Sequence, residues 1–544
     1  MQRPHRSLRD RLQRRVTVLG GQLPPRARRM VRRIGDRVEP MVAGGAEAAA
    51  VKRSQAEVVT SFDAWQTVAD LAAALTDALV SHGVDVARLE RGGVVTLAVA
   101  REKRDAAIRA IRDSALAAGW WVLRRGRQPV RITELAPESV TVDTLLVFRL
   151  LAAPDGTVVS GPGLAVQLQF WRTTGSHVTR PDGGLFPEGT LLAPDRNGVA
   201  PYILPEQWRA AQQHPEHRLR ADAPPHLLSV ADPIDVVYTW VDGSDPSWQA
   251  RRAGLDPNTA QLAADALDPA RTTNRDELRY SLRSLAMYAS WVRHIWLVTD
   301  GQVPSWLATH PKLTVVRHEE IFTDPSALPT FNSHSIESQL HHIDGLAEHF
   351  LYLNDDFFFG RPVQPELFFH GNGVAKFSLS PTAIDREAEP GPMNGAMLAA
   401  RKGREFLEQT FGRTVTHRMQ HVPHAHQRSV LAEFEERHPD LFHQVAHSRL
   451  RNSSDLSIAS DLGHWYAFAR GRAVPAKVAF RYVDIGSPLA AEYFETLLTR
   501  RDQDCFCLND VGGYPAPVDD SPVTEFLRRY YPVPSPFERP EAAD

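Results

Sequence analysis

Leu351-Tyr352-Leu353-Asn354-Asp355-Asp356 is an apolar run that ends in an amide and two adjacent carboxylates. Phe357-Phe358-Phe359-Gly360 follows at once. Carboxylates at the end of a buried strand are costly unless a positive charge faces them. A divalent cation with hard oxygen ligands, Mg²⁺ or Mn²⁺, is the natural partner, and such an ion suits a diphosphate substrate. That chemistry points to an activated sugar nucleotide. A strand-end turn capped by one aspartate accounts for the same residues, so the acids alone do not decide between the two.

The elements that would position these acids form a pattern. Ile234 to Val241 reads as a buried strand ended by Asp242-Gly243-Ser244-Asp245-Pro246. His294–Thr299 is a second strand, ended by Asp300, and Leu313–Val316 a third. Phe350–Leu353 is the fourth. Leu278, Leu282 and Leu285 at helical spacing predict a helix from Asp276 to Ala289, and a second helix is predicted from Ser335 to His349. Strands alternating with helices predict an α/β fold with a parallel sheet. In such sheets ligands bind beyond the carboxyl ends of the strands, where Asp242, Asp300, Asp355 and Asp356 all stand. Further on, His421-Val422-Pro423-His424 leads into a helix marked by Val430, Leu431 and Phe434. Leu450 to Asp455 opens another, and Val523–Tyr531 reads as helical.

Composition bounds the rest. A chain of 544 residues suggests two to four domains at about 150 residues each. Hydrophobic content of 43% and charged content of 23% are ordinary for a soluble globular protein, and a net charge of −3 gives no general case for nucleic-acid binding. No window offers the roughly 18 uncharged apolar residues that a membrane span needs. Residues 1–40 hold twelve arginines against Asp10, Asp36 and Glu39. They read as a solvated basic tail, as a peripheral tether to an anionic inner membrane face or, least readily, as a nucleic-acid arm. Val16–Gly20 is too short for the apolar core of a leader. Cys505 and Cys507 are the only cysteines. They are not expected to bridge each other, no second pair completes a zinc site, and a reducing compartment is favoured. Residues 119–205 are β-rich. The expected organisation is a basic tail and linker over 1–54, an α+β accessory domain over 55–225, a catalytic domain over 233–535 and a short tail over 536–544.

At several of these points the chain resembles a known family. Asp235 to Pro246 is one block. Arg275-Asp276-Glu277-Leu278-Arg279 through Ile295–Asp300 and Phe331–Glu337 to Asp356 is a second. His421–His424 with its following helix is a third, and Arg451–Asp455 with Cys507-Leu508-Asn509-Asp510 a fourth. In this order they are similar to the Stealth proteins, bacterial capsular and exopolysaccharide sugar-1-phosphate transferases. Those share a catalytic region with the animal lysosomal-enzyme N-acetylglucosamine-1-phosphotransferase. The resemblance covers residues 233–535 and none of 1–230. It implies a nucleotide-sugar-transferase-like (GT-A-like) core with a parallel-rich sheet. It also implies transfer of a sugar 1-phosphate from a nucleotide diphosphate sugar donor to a hydroxyl of a glycan acceptor, with release of a nucleoside monophosphate. Such synthesis places the enzyme in the cytoplasm or at the inner face of the membrane.

Roles then follow as expectations. Asp355 and Asp356 hold the metal, with Asn354 or Asn509 and Asp510 completing its shell. Asp242 and Asp245 contact the ribose or the metal, although Asp-Gly-Ser-Asp-Pro also makes a good Asx turn. Arg275 or Arg279 forks onto phosphate or a site carboxylate. Asp276 and Glu277 are expected among the substrate-binding residues, with a helix N-terminus that favours acids as the alternative. His421 and His424 are candidates for the general base, with His424 favoured because Pro423 pins the chain beside it. Arg451 neutralises the transferred phosphate. Asn332, His334, Ser335 and Glu337 form a polar cluster that could meet sugar or phosphate, with Ser335 as a helix cap the alternative. Two rivals stand beside this reading: a metal-dependent glycosyltransferase that moves the sugar alone, and a non-catalytic glycan-binding module.

Overall fold

Ile234–Thr239 has five of its six residues buried, as expected of a strand covered on both faces. In the computed structural model, which describes residues 55–540 except 125, 176–177, 181–182, 196–198, 220–225, 256–272, 385–394 and 511–519, this strand is central to a five-stranded sheet. The order is Leu313–Arg317, Ile295–Thr299, Ile234–Thr239, His349–Asn354, His424–Gln427. The first four run parallel and the last antiparallel. The chain steps outward through two strands on one side of Ile234–Thr239 and then returns to its other side. That reversal opens a crevice at the carboxyl ends of Ile234–Thr239 and His349–Asn354. The α/β class expected from the sequence is what the structure shows.

One carboxylate lies inside this sheet. Asp235 is fully buried. It accepts from Arg293 Nε at 2.7 Å and Nη2 at 2.5 Å, from Trp296 Nε1 at 2.9 Å and from the Ala347 amide at 2.9 Å. Four donors offset its desolvation and fix the strand against its neighbour.

A second, three-stranded sheet continues from the acids. Phe357–Phe359 pairs antiparallel with Cys505–Asn509, which runs parallel to Phe480–Asp484. Phe357, Phe358 and Phe359 are all buried, and Phe358 stacks between Phe506 and Tyr531 with ring centroids at 5.3 and 5.9 Å. Aromatic burial therefore brings a segment near residue 507 beside Asp355 and Asp356. Ahead of this region, helices Ala64–Ser81 and Arg104–Arg112 accompany an eight-stranded sheet between Ala87 and Ile203. Trp65 Nε1 donates to the Tyr288 carbonyl at 3.1 Å, and the Ser290 hydroxyl donates to Asp63 at 2.9 Å. One hydrophobic core runs through both regions.

Several expectations are corrected. The helix expected over Ser335–His349 is a short helix, Ser333–Glu337, followed by a 3₁₀ turn, Leu340–His342. Asp344 and Gly345, the latter at φ +78°, interrupt the helical path. His424 begins a four-residue strand, paired with Tyr352, and that strand leads into helix Arg428–Arg437. After Asp455 the chain passes through a π turn, Ile458–Leu462, before helix Gly463–Ala469. Residues 536–540 are not a loose tail, because Phe537 and Glu538 are buried. The basic segment 1–54 lies outside the described residues, and no described helix is long and apolar enough to cross a membrane.

Glu538 is a clamp. It accepts from Arg283 Nε and Nη2 at 2.8 and 2.7 Å and from Arg279 Nε at 2.6 Å. Removing it would strand two guanidiniums, one of them buried. Glu538→Ala is expected to destabilise the protein by about 3–5 kcal/mol. The check is a lowered denaturant midpoint at unchanged slope. A loss below about 1 kcal/mol, the range of surface pairs, would show the clamp to be incidental.

Candidate active site

The crevice at the strand reversal has a volume of about 780 Å³. It is lined on one side by Glu277, Asn354, Asp355 and Asp356, and on others by Arg275, His421, Arg451, Asn509 and Asp510. Asn354, Asp355 and Asp356 reach it because His349–Asn354 ends there. Glu277 reaches it from the first turn of helix Glu277–Tyr288, where a carboxylate also suits the helix dipole.

The acids crowd one another. Asp355 opens onto the crevice but lies deep in the protein. Desolvation, reinforced by the charges of Glu277 and Asp356, holds its carboxyl well above the ordinary range. Glu277 is raised to about 7, mainly by burial. Asp356 differs. Burial pushes its carboxyl up, but the nearby His421 imidazole and hydrogen bonds from Asn509 and Cys507 outweigh that and hold it low. Asn509 Nδ2 donates to its Oδ2 at 2.9 Å and the Cys507 thiol at 3.1 Å, with His421 Nε2 at 3.7 Å. Burial raises the Cys507 thiol well above its usual value, so it acts as a donor. Asp356 Oδ1 is buried and has no hydrogen-bond partner among the described residues.

Cationic groups face these acids. Arg275 Nη2 donates to Asp510 at 2.8 Å, and its Nε to Asp520. Arg451 Nη2 donates to Ser333 Oγ at 2.7 Å. Arg418 and Arg481 also line the crevice. Glu337 lies just behind, bonded to Ser457 at 2.7 Å and to Ser460, and burial raises it to about 7.

The remaining predicted residues do other work. Asp242 accepts from the Ser244 amide and hydroxyl at 2.9 and 2.6 Å, an Asx turn. Asp245 caps helix Pro246–Ala253 and is held at about 2 by Gln302 and Ser247. Asp276 is an exposed residue at φ +63°, outside the crevice lining. Arg279 is engaged by Glu538 and is not part of the crevice lining. Asn332 is fully buried, caps helix Ser333–Glu337 and donates to Asp455 at 2.8 Å. His334 Nδ1 lies 3.5 Å from the same Asp455. His424 is buried behind the crevice, with Nδ1 3.0 Å from His464 Nε2. Burial, with His421 and His426 beside it, pushes its imidazole well below the usual range and keeps it neutral. Of the two histidines of the motif, His421 is the one that lines the crevice.

Sequence reading passed over Cys507, Ser333, Arg418 and Tyr482 as site residues. Strand alternation could have found Cys507, because residues two apart share a face and Asn509 was already a candidate.

Comparison with known proteins places these residues in a wider set. Four conserved-region profiles of one family match in order: Stealth protein CR1 over residues 232–259, CR2 over 271–377, CR3 over 420–468 and CR4 over 495–544. The chain is 44% identical over 442 residues to the exopolysaccharide phosphotransferase SCO6023 of Streptomyces coelicolor, covering 77% of this chain and 70% of that one. It is 38% identical to the exopolysaccharide phosphotransferase CpsY of Mycobacterium tuberculosis, covering 76% and 77%. Among solved structures, a galactosyltransferase LgtC complex aligns at 10% identity over 56% of this chain and 98% of that one, with a TM-score of 0.29. The WbbM bifunctional glycosyltransferase aligns at 12% over 58% and 51%, with a TM-score of 0.31. Likenesses this loose add nothing to the sheet order described above.

Proposed function

The chain belongs to the Stealth family, and from that premise we propose that it transfers a sugar 1-phosphate from a nucleotide diphosphate sugar to a hydroxyl of a glycan acceptor in exopolysaccharide synthesis. The acceptor oxygen forms a bond to the phosphorus next to the sugar. The phosphoanhydride bond breaks, and a nucleoside monophosphate leaves with the bridging oxygen. The observation that supports this reading most strongly is the crevice itself, where crowded carboxylates, an imidazole and several guanidiniums meet.

The residues fit a divalent cation. Asp356 Oδ1 is buried without a partner among the described residues, and burial beside other carboxylates raises Asp355 and Glu277. Asp355 and Asp356 would hold Mg²⁺ or Mn²⁺, with Asn354 or Asn509 as neutral oxygen ligands. Such an ion neutralises charge on diphosphate oxygens. Asp510 is tied to Arg275 and would position it. Arg275 and Arg451 face the developing charge of the phosphate. His421 takes the acceptor proton, and Asp356 at 3.7 Å orients its ring. The region over 55–225 acts as an accessory domain to the catalytic one.

Purified protein supplied with a panel of nucleotide sugars, an acceptor glycan and Mg²⁺ or Mn²⁺ is expected to release nucleoside monophosphate and to build a phosphodiester. Release of nucleoside diphosphate instead would overturn the reaction and favour transfer of the bare sugar.

A further inference from the structure

Behind the sheet is a second cleft of about 770 Å³ that shares no lining residue with the crevice. His341 and His342, in the 3₁₀ turn Leu340–His342, meet Glu435 from helix Arg428–Arg437 at its wall. His341 Nε2 lies 2.6 Å and His342 Nε2 2.7 Å from the same oxygen, Glu435 Oε2. His342 Nδ1 lies 3.0 Å from the Ile321 carbonyl. A carbonyl only accepts, so Nδ1 carries the hydrogen. A neutral His342 then turns the lone pair of Nε2 toward a carboxylate lone pair. That contact is repulsive unless something positive stands in it. His341 Nδ1 is buried without a partner among the described residues, so no second hydrogen bond fixes the tautomer of that ring and either nitrogen is free to carry the hydrogen. Glu320, Asp344 and Glu436 add negative charge to the cleft, against Arg428.

We propose that His341, His342 and Glu435 bind a borderline transition metal of the Zn²⁺ kind, with a fourth position open to the cleft. Two imidazoles and one carboxylate select such an ion over Mg²⁺. The Ile321 carbonyl supplies the outer contact that fixes a ligating histidine's tautomer. Ligands on bonds of 2.0–2.1 Å stand roughly 3.3 Å apart in a tetrahedron, so Glu435 retreats by about 0.6 Å from each ring. Its side chain is 25% exposed and has room to do so. Binding ties the turn that precedes strand His349–Asn354 to the helix that follows strand His424–Gln427. Those strands are paired, so the ion braces the strand that carries the acids from behind.

The test uses the full chain, stripped with a chelator and titrated with Co²⁺ as a spectroscopic probe, then with Zn²⁺. The parent is expected to show a Co²⁺ ligand-field band without thiolate charge transfer, and a higher Tm with Zn²⁺. Glu435→Gln and His342→Ala are each expected to bind at least tenfold more weakly at this site, to lose one metal equivalent and to lose the Tm rise. His443→Ala, in the separate surface group Asp324–His443–His447, is expected to keep all three. Folding of each variant is confirmed by far-UV circular dichroism. If either folded variant takes up the parent's full complement with the same band, or if the parent binds no ion and a shared proton fills the contact, the proposal is overturned.

Discussion

Asp356→Asn is expected to lower transfer by at least about 10³-fold, since it removes several kcal/mol of charge stabilisation held in place for the diphosphate. Asn keeps the shape and still accepts from Asn509. It cannot supply the anionic Oδ1 that faces no donor among the described residues. Asp355→Asn is expected to lose activity as well, but to gain stability in chelated protein. Both Asp355 and Glu277 have folded-state values raised above their unfolded ones. The folded protein therefore binds protons that the unfolded chain does not. The stability they contribute is full below the unfolded values and is lost as pH rises through the folded ones. For Glu277 that window runs from 4.5 to about 7, and its cost above the window is on the order of 3 kcal/mol. The Tm advantage of Asp355→Asn over the parent should grow from pH 5 to pH 7 and shrink when Mg²⁺ or Mn²⁺ is added. An amide variant less stable than the parent at every pH without metal would remove the electrostatic basis of the site.

His421→Ala is the second large effect. Loss of a general base typically costs about 10²–10⁴ in rate. The fall should appear in kcat, with donor KM little changed, because His421 acts on the acceptor proton. His424→Ala tests the contrast. His424 is buried and neutral, in contact with His464, so its removal should act first on stability, through a cavity and a stranded His464. If His421→Ala keeps more than a tenth of the parent kcat, the proton goes elsewhere.

The strands and their order of acids were legible because buried parallel strands read as apolar runs and stop where water begins. Ile234–Thr239, Ile295–Thr299, Leu313–Arg317 and His349–Asn354 all announce themselves in that way. Side-chain assignments within the motifs were less legible. Asp242 and Asp245 satisfy their nearest backbone amides, a local reading that competes with any long-range role. The fate of Arg279 depends on Glu538, which lies 259 residues away, and no local pattern predicts that pairing. His421 precedes the strand and stays half-exposed whereas His424 begins it and is buried, and the antiparallel strand at His424–Gln427 is too short and polar to be read by its periodicity. The half-buried His341–His342–Glu435 contact likewise joins a turn to a helix across 94 residues.

The pairing of Phe357–Phe359 with Cys505–Asn509 has a consequence for biosynthesis. Asp356 and Cys507 are 151 residues apart. At 5–20 residues per second, roughly eight to thirty seconds pass on the ribosome between translation of the first and of the second. Throughout that interval the nascent polypeptide carries three unpaired phenylalanines next to two uncompensated acids. Chaperone capture at that stage is expected, and the enzyme cannot turn over until the late strand has emerged.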